Sequence, residues 1–135
     1  MAISRKEKKY LLSEFKNLEQ YRIVVHAAED FAGLDVENAS VTVPEIAAAQ
    51  RIARKAAERC RVRIEVLAGA IRYSARTAHK QSDQERIATA LYQNLVLGMH
   101  SYEVGLTSST IAKYRMLALE YALKRLKDKG IIYDK

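Results

Sequence analysis

Residues 107–115 read TSSTIAKYR. Thr107, Ser108, Ser109 and Thr110 place four hydroxyl groups in succession, and Lys113, Tyr114 and Arg115 follow one helical turn later. Hydroxyl, lysine and arginine side chains are the groups that hydrogen-bond phosphate oxygens and base edges. If Thr107 caps a helix starting at Ser108, the free N–H groups of that first turn add a further attraction for phosphate. Other chemistry is poorly represented. His26, His79 and His100 fall on different segments, with no second histidine or carboxylate cluster at metal-ligand spacing. Cys60 is the single cysteine, so an intramolecular disulfide and a multi-cysteine zinc site are both excluded. Neither a phosphate-cradling glycine loop nor a nucleophile elbow is present. The expectation is a protein without catalytic residues, metal or cofactor.

The charge balance points the same way. Lys and Arg number 23 against 16 Asp and Glu, a net charge of +7. Such a surplus implies a polyanionic partner: nucleic acid, an anionic membrane surface or an acidic protein. Nine Lys/Arg lie within residues 51–80 against only Glu58 and Glu65, so this stretch alone matches the excess of the whole chain. Neither a signal-peptide apolar run nor a membrane-length apolar stretch is evident, and a cytoplasmic protein is expected.

Elements that could position these groups are legible as helices. Proline occurs once and glycine five times in 135 residues, a composition that favours helix over turn-rich sheet. Ser4 and Glu7 form a capping box, and the stripe Leu11, Phe15, Leu18, Arg22 and Val25, widened by Leu12, predicts a helix to about residue 31. Gly33 can end it, and residues 33–43 read as a linker. Thr42 and Glu45 form a second capping box, with Pro44 in the first turn. A long basic helix over 44–80 follows, with its regular part reaching about residue 73. Its apolar seam is Ile46, Ala49, Ala53, Ala56, Cys60, Ile64, Leu67 and Ile71, close to a heptad and suited to helix pairing. Ser82 and Glu85 form a third capping box before a helix to about residue 96 that buries Ile87, Ala90, Leu91 and Leu95. The last helix, 108–128, has Ile111, Ala118, Leu119, Ala122, Leu123 and Leu126 inward and ends at Gly130. Residues 1–32, 33–43, 44–80 and 82–135 thus divide the chain into an N-terminal helix, a linker, a basic helix for dimerisation or phosphate contact, and a C-terminal region.

The fold class expected is all-α, a helical bundle of long amphipathic helices ending in a helix-turn-helix. Gly105 is placed for the positive-φ position of the turn, and Val104 and Leu106 on either side of it lock the helices together. His100 is expected to be buried and hydrogen-bonded. Tyr92, then Val104-Gly105-Leu106-Thr107, then SSTIAKYRMLALEYALKRL, resembles the fourth region of sigma factors. More closely it resembles small phage and mobile-element transcriptional regulators of the RinA/ArpU type. Where the sigma-like pattern carries an aliphatic and a small residue, this chain has His100 and Ser101. The resemblance implies a basic, all-helical regulator, often an activator of late or packaging operons, with a C-terminal DNA-reading head. ALKRLKDKGIIYDK is also similar to the end of a recognition helix and the start of a wing in winged-helix repressors.

The function expected is therefore that of a sequence-specific double-stranded DNA-binding transcriptional regulator. Thr107, Ser108, Ser109, Thr110, Lys113, Tyr114 and Arg115 would meet the major groove. Arg51, Arg54, Lys55, Arg59, Arg61, Lys124 and Lys127 would contact phosphates. A homo-oligomer is expected, a dimer in the first instance, with RNA polymerase as a second partner and no membrane. Two alternatives stand beside it: a helical interaction module whose Ala-rich seam binds an acidic partner, and a DNA-recognition subunit for phage packaging.

Overall fold

A computed structural model describes residues 3–32 and 43–132. Among these residues five α-helices follow one another: α1 (Arg5–Lys16), α2 (Leu18–Ala32), α3 (Val43–Ala75), α4 (Gln81–Leu95) and α5 (Ser108–Asp128). A single 3₁₀ turn, Ser101–Glu103, lies between α4 and α5. Among the described residues the chain is all-helical, without strands. No helix among them is long and apolar enough to cross a membrane. The 33–42 stretch, the Thr42 cap and the residues after Ile132 lie outside the described residues. Val43, expected to close the linker, is the first residue of α3.

The helix expected to run unbroken to about residue 31 is two helices. Ser4 and Glu7 do form the capping box, each backbone N–H donating to the other's side chain, at 3.0 and 3.1 Å. The helix then stops at Asn17 (φ −88°, ψ 1°), whose N–H donates to the carbonyls of Ser13 and Glu14. Asparagine favours such a cap because its amide competes with the helical backbone for hydrogen bonds. Apolar periodicity runs through the break undisturbed, which is why the stripe did not disclose it.

The chain divides into two compact units: Met1–Leu18 with Glu65–Lys135, and Glu19–Ile64. In the first, α5 packs against both α1 and α4, and α1 also meets α4. The core contains Leu11, Phe15, Leu18, Leu67, Leu91, Leu119 and Leu126, all essentially inaccessible to solvent. Burying each such side chain contributes about 1.5–3 kcal/mol. The inner faces of α4 and α5 are those expected, residue for residue. At the rim, Lys127 Nζ lies 3.1 Å from Glu7 Oε2 and ties α5 to α1. Gly130 ends α5 in a Schellman motif: its N–H donates to the Lys127 carbonyl at 3.0 Å, and the Ile131 N–H donates to that of Leu126 at 2.9 Å. Ile131 and Ile132 are half-buried.

The second unit joins α2 to the first part of α3. Gln50 donates to the Phe31 carbonyl, Arg61 pairs with Glu29 at 3.3 Å, and the Arg63 guanidinium lies over the Tyr21 ring. Among its described residues the buried apolar side chains are few: Ala28, Ile46 and Ala57. The long seam is not uniformly buried. Ile46, Leu67 and Ile71 are buried, Ala53, Ala56, Cys60 and Ile64 are half-buried, and Ala49 is exposed. Ile52 just outside the seam is 71% exposed, and Ile23 on α2 is 59% exposed.

Candidate nucleic-acid interface

The start of α5 is built by local hydrogen bonds. Thr107 is extended (φ −69°, ψ 155°), and its hydroxyl accepts the Thr110 N–H at 3.2 Å, the geometry of an N-cap. The same hydroxyl donates to Thr110 Oγ1 at 2.7 Å and lies 3.3 Å from Ser109 Oγ. Ser108 Oγ is 3.1 Å from Ser101 Oγ, so the preceding 3₁₀ turn is fastened to the helix start. Thr107, Ser108, Ser109 and Lys113 are exposed, Thr110, Tyr114 and Arg115 half-buried. Ile111, between them, is the buried anchor. All seven residues expected at the groove thus lie on one short stretch, with the hydroxyls of Thr107, Ser109 and Thr110 knitted into the cap.

The approach to α5 differs from a tight helix-turn-helix. Twelve residues, 96–107, separate α4 from α5, where the motif commonly has a turn of three or four. Gly98 (φ 74°) and Gly105 (φ 77°) bracket only six residues. That is too short for a stable α-helix, and one 3₁₀ turn forms instead. Asn94 holds the connection to α4 by donating to the Met99 carbonyl at 2.7 Å. The expected positive φ at Gly105 is present, and Val104 and Leu106 beside it are half-buried. His100 is not buried. It is exposed and stacks on Tyr102, itself 79% exposed, with ring centroids 5.5 Å apart. Its backbone N–H donates to Glu103 Oε1, a local bond that replaces the core contact anticipated from its position.

Beneath the first turns of α5 lies a cleft of about 330 Å³, walled by the turn after α3, the start of α4 and the start of α5. Thr110, Lys113 and Tyr114 contribute from α5. The turn after α3 is held by side chains. Thr77 donates to the Ser74 carbonyl at 2.7 Å, and Gln84 donates to the carbonyls of Ala78 and Arg76 at 2.8 and 3.4 Å. These bonds bring α4 in earlier than its sequence signals suggest. Lys80 is its N-cap, with no side-chain capping bond, and Ser82 lies inside the helix instead of capping it.

Ser74, which has no place among the residues expected to matter, positions this region. It is fully buried, and its hydroxyl donates to the Tyr114 carbonyl at 2.6 Å. The bond joins α3 to the turn of α5 that carries Lys113. A signal exists in the sequence, since Ser74 continues the seam three residues after Ile71, but a serine does not register as a core position. One turn away, Tyr73 stacks on Tyr121 with centroids 4.8 Å apart, and the Arg125 guanidinium covers the Tyr121 ring at 5.2 Å.

The residues expected at phosphates are distributed over both units. Lys124 is exposed on α5, whereas Lys127 is engaged with Glu7. On α3, Arg51, Arg54, Lys55, Arg59 and Arg61 are all exposed. At 100° per residue they fall within an arc of about 160° on the helix. Of these five, Arg61 is paired with Glu29. No group of three His, Cys, Asp or Glu side chains among the described residues could hold a metal ion. Compared with known proteins, the chain matches no protein-family model, no curated protein and no solved structure.

Proposed function

We propose that this chain is a sequence-specific double-stranded DNA-binding regulator whose reading element is the first two turns of α5. The observation that carries the reading is the combination at that helix start. A capped terminus presents exposed Ser108 and Ser109 hydroxyls, and Lys113 extends from the next turn beside a cleft with further cationic walls. Hydroxyls and lysine in this setting can reach base edges while the helix terminus meets the phosphate backbone. The pattern's resemblance to RinA/ArpU-type and sigma region-four sequences supports the same reading. In this proposal α4 and α5 are the helix pair, and the expanded connection of residues 96–107 takes the place of the usual tight turn. The exposed arginines of α3 supply sequence-independent attraction to phosphate. A dimer would present two copies of α5 to half-sites about one helical turn, 34–36 Å, apart.

Selection of bound duplexes from a random pool, followed by gel shift on the selected site, tests this reading. Lys113→Ala is expected to weaken binding of the selected duplex, with the thermal midpoint held near wild type because the side chain is exposed. Loss of a base-edge contact should cost about 1–3 kcal/mol and relax the preference at one position. Recovery of no preferred sequence, together with unchanged affinity in the variant, would reject the reading.

A further inference from the structure

The cleft under α5 gathers charges from three separate elements. Lys80 comes from the turn after α3, Arg86 from α4 and Lys113 from α5, with His79 beside Lys80. Asp83 is the acidic member of the lining, and it meets Arg86 at 3.7 Å. Lys80 and Lys113 have no carboxylate partner among the described residues. Three permanent cations thus share one concave space with one carboxylate. Such a concentration of like charge is unfavourable until an anion enters, and a concave wall strengthens the field that draws one in. Hydroxyl and backbone donors are at hand as well. Thr110 lines the cleft, and α4 begins at Gln81 after Lys80 as N-cap, without a side chain capping its first turn. Lys113 Nζ lies 5.5 Å from the centre of the Tyr114 ring, and both residues line the cleft. The volume, about 330 Å³, admits a phosphate group with bridging water.

We infer that this cleft seats one backbone phosphate of the bound duplex, adjacent to the bases met by Ser108 and Ser109; the inference rests on the DNA-binding reading of α5. Lys80 and Arg86 provide the charge and Thr110 a neutral donor, while Lys113 on the α5 side is left to the base edge. The seat fixes the register of α5 on the duplex and carries no sequence information, as phosphate contacts generally do.

The test compares the full chain with Lys80→Ala/Arg86→Ala, two exposed positions whose truncation leaves the core untouched. Duplex affinity is measured over a range of salt, on the selected and on scrambled sequences. The double variant is expected to bind both more weakly by the same factor. The slope of log K against log salt should fall by about 0.9, the value for one phosphate that is no longer neutralised. In parallel, inorganic phosphate is titrated at low ionic strength and the His79 ring signals are followed by NMR. They should shift in the wild type and not in the variant. An unchanged slope in the double variant, with Lys113→Ala still impaired, would overturn the seat and leave the DNA reading standing. A His79 response to inorganic phosphate combined with an unchanged duplex slope would assign the cleft to a free phosphate and also overturn the backbone assignment. Absence of any duplex binding by the wild type would remove the DNA reading, and this seat with it.

Discussion

Ser74→Ala isolates a single bond between α3 and the proposed reading helix. The Ser74 hydroxyl is fully buried and donates to the Tyr114 carbonyl at 2.6 Å. Alanine keeps the Cβ and removes only the donor. The Tyr114 carbonyl lies well inside α5 and keeps its intrahelical partner, so no buried acceptor is orphaned. The expected loss is that of one net intramolecular hydrogen bond, about 0.5–1.5 kcal/mol. Ser74→Val exchanges the hydroxyl for two methyl groups in a site with no free volume toward solvent. It forfeits the same bond and adds overpacking, about 1–3 kcal/mol more. Urea unfolding followed by circular dichroism measures both, with an unchanged slope expected because the exposed surface on unfolding is the same. In a thermal scan the alanine variant should melt about 2–6 °C lower. An alanine variant as stable as wild type would refute the view that this bond holds α3 to α5. A valine variant no worse than alanine would show that the site is not closely packed.

Two further perturbations address the framework of the site. Gly105 has φ 77°, and a Cβ added there would meet no atom within 4 Å. Gly105→Ala should therefore cost only the left-handed backbone term, about 1–2 kcal/mol, and Gly105→Asn less, because asparagine tolerates this region; equal stability of all three by urea unfolding would contradict the positive φ. The Glu7 carboxyl is held below the usual carboxylate range, first by the Ser4 N–H that donates to it and next by Lys127. A depressed folded-state value means the stabilisation is present above the ordinary carboxylate pKa and is lost as pH falls through the lowered one. Glu7→Gln preserves the capping box but not the ion pair. Its deficit in thermal midpoint should be largest at neutral pH and shrink in acid, and a deficit independent of pH would reject this account.

Much of the helical framework was legible because its determinants are local. The buried faces of α4 and α5 followed from 3.6-residue periodicity, and Ser4 and Thr107 were readable as caps because each acts on an N–H three residues away. Where two local signals competed, sequence was a poor guide. Ser82 resembled a cap, yet Gln84 and Thr77 hold the preceding turn so that α4 starts at Gln81. Asn17 split a helix whose apolar stripe continues across it. His100, expected inside, found its partners in Tyr102 and Glu103 at the surface.

The sequence by itself determined that the chain is helical, that its excess charge is basic, and that TSSTIAKYR opens a capped helix with exposed hydroxyls. Tertiary structure alone decided that Lys80, Arg86 and Lys113 share one cleft, and that a serine forty residues away in sequence anchors Tyr114. The physical reason is the same in both cases. Caps and periodicity act within a turn or two of the chain, whereas a cleft and a buried hydrogen bond depend on the docking of separate helices, which no short stretch of sequence encodes.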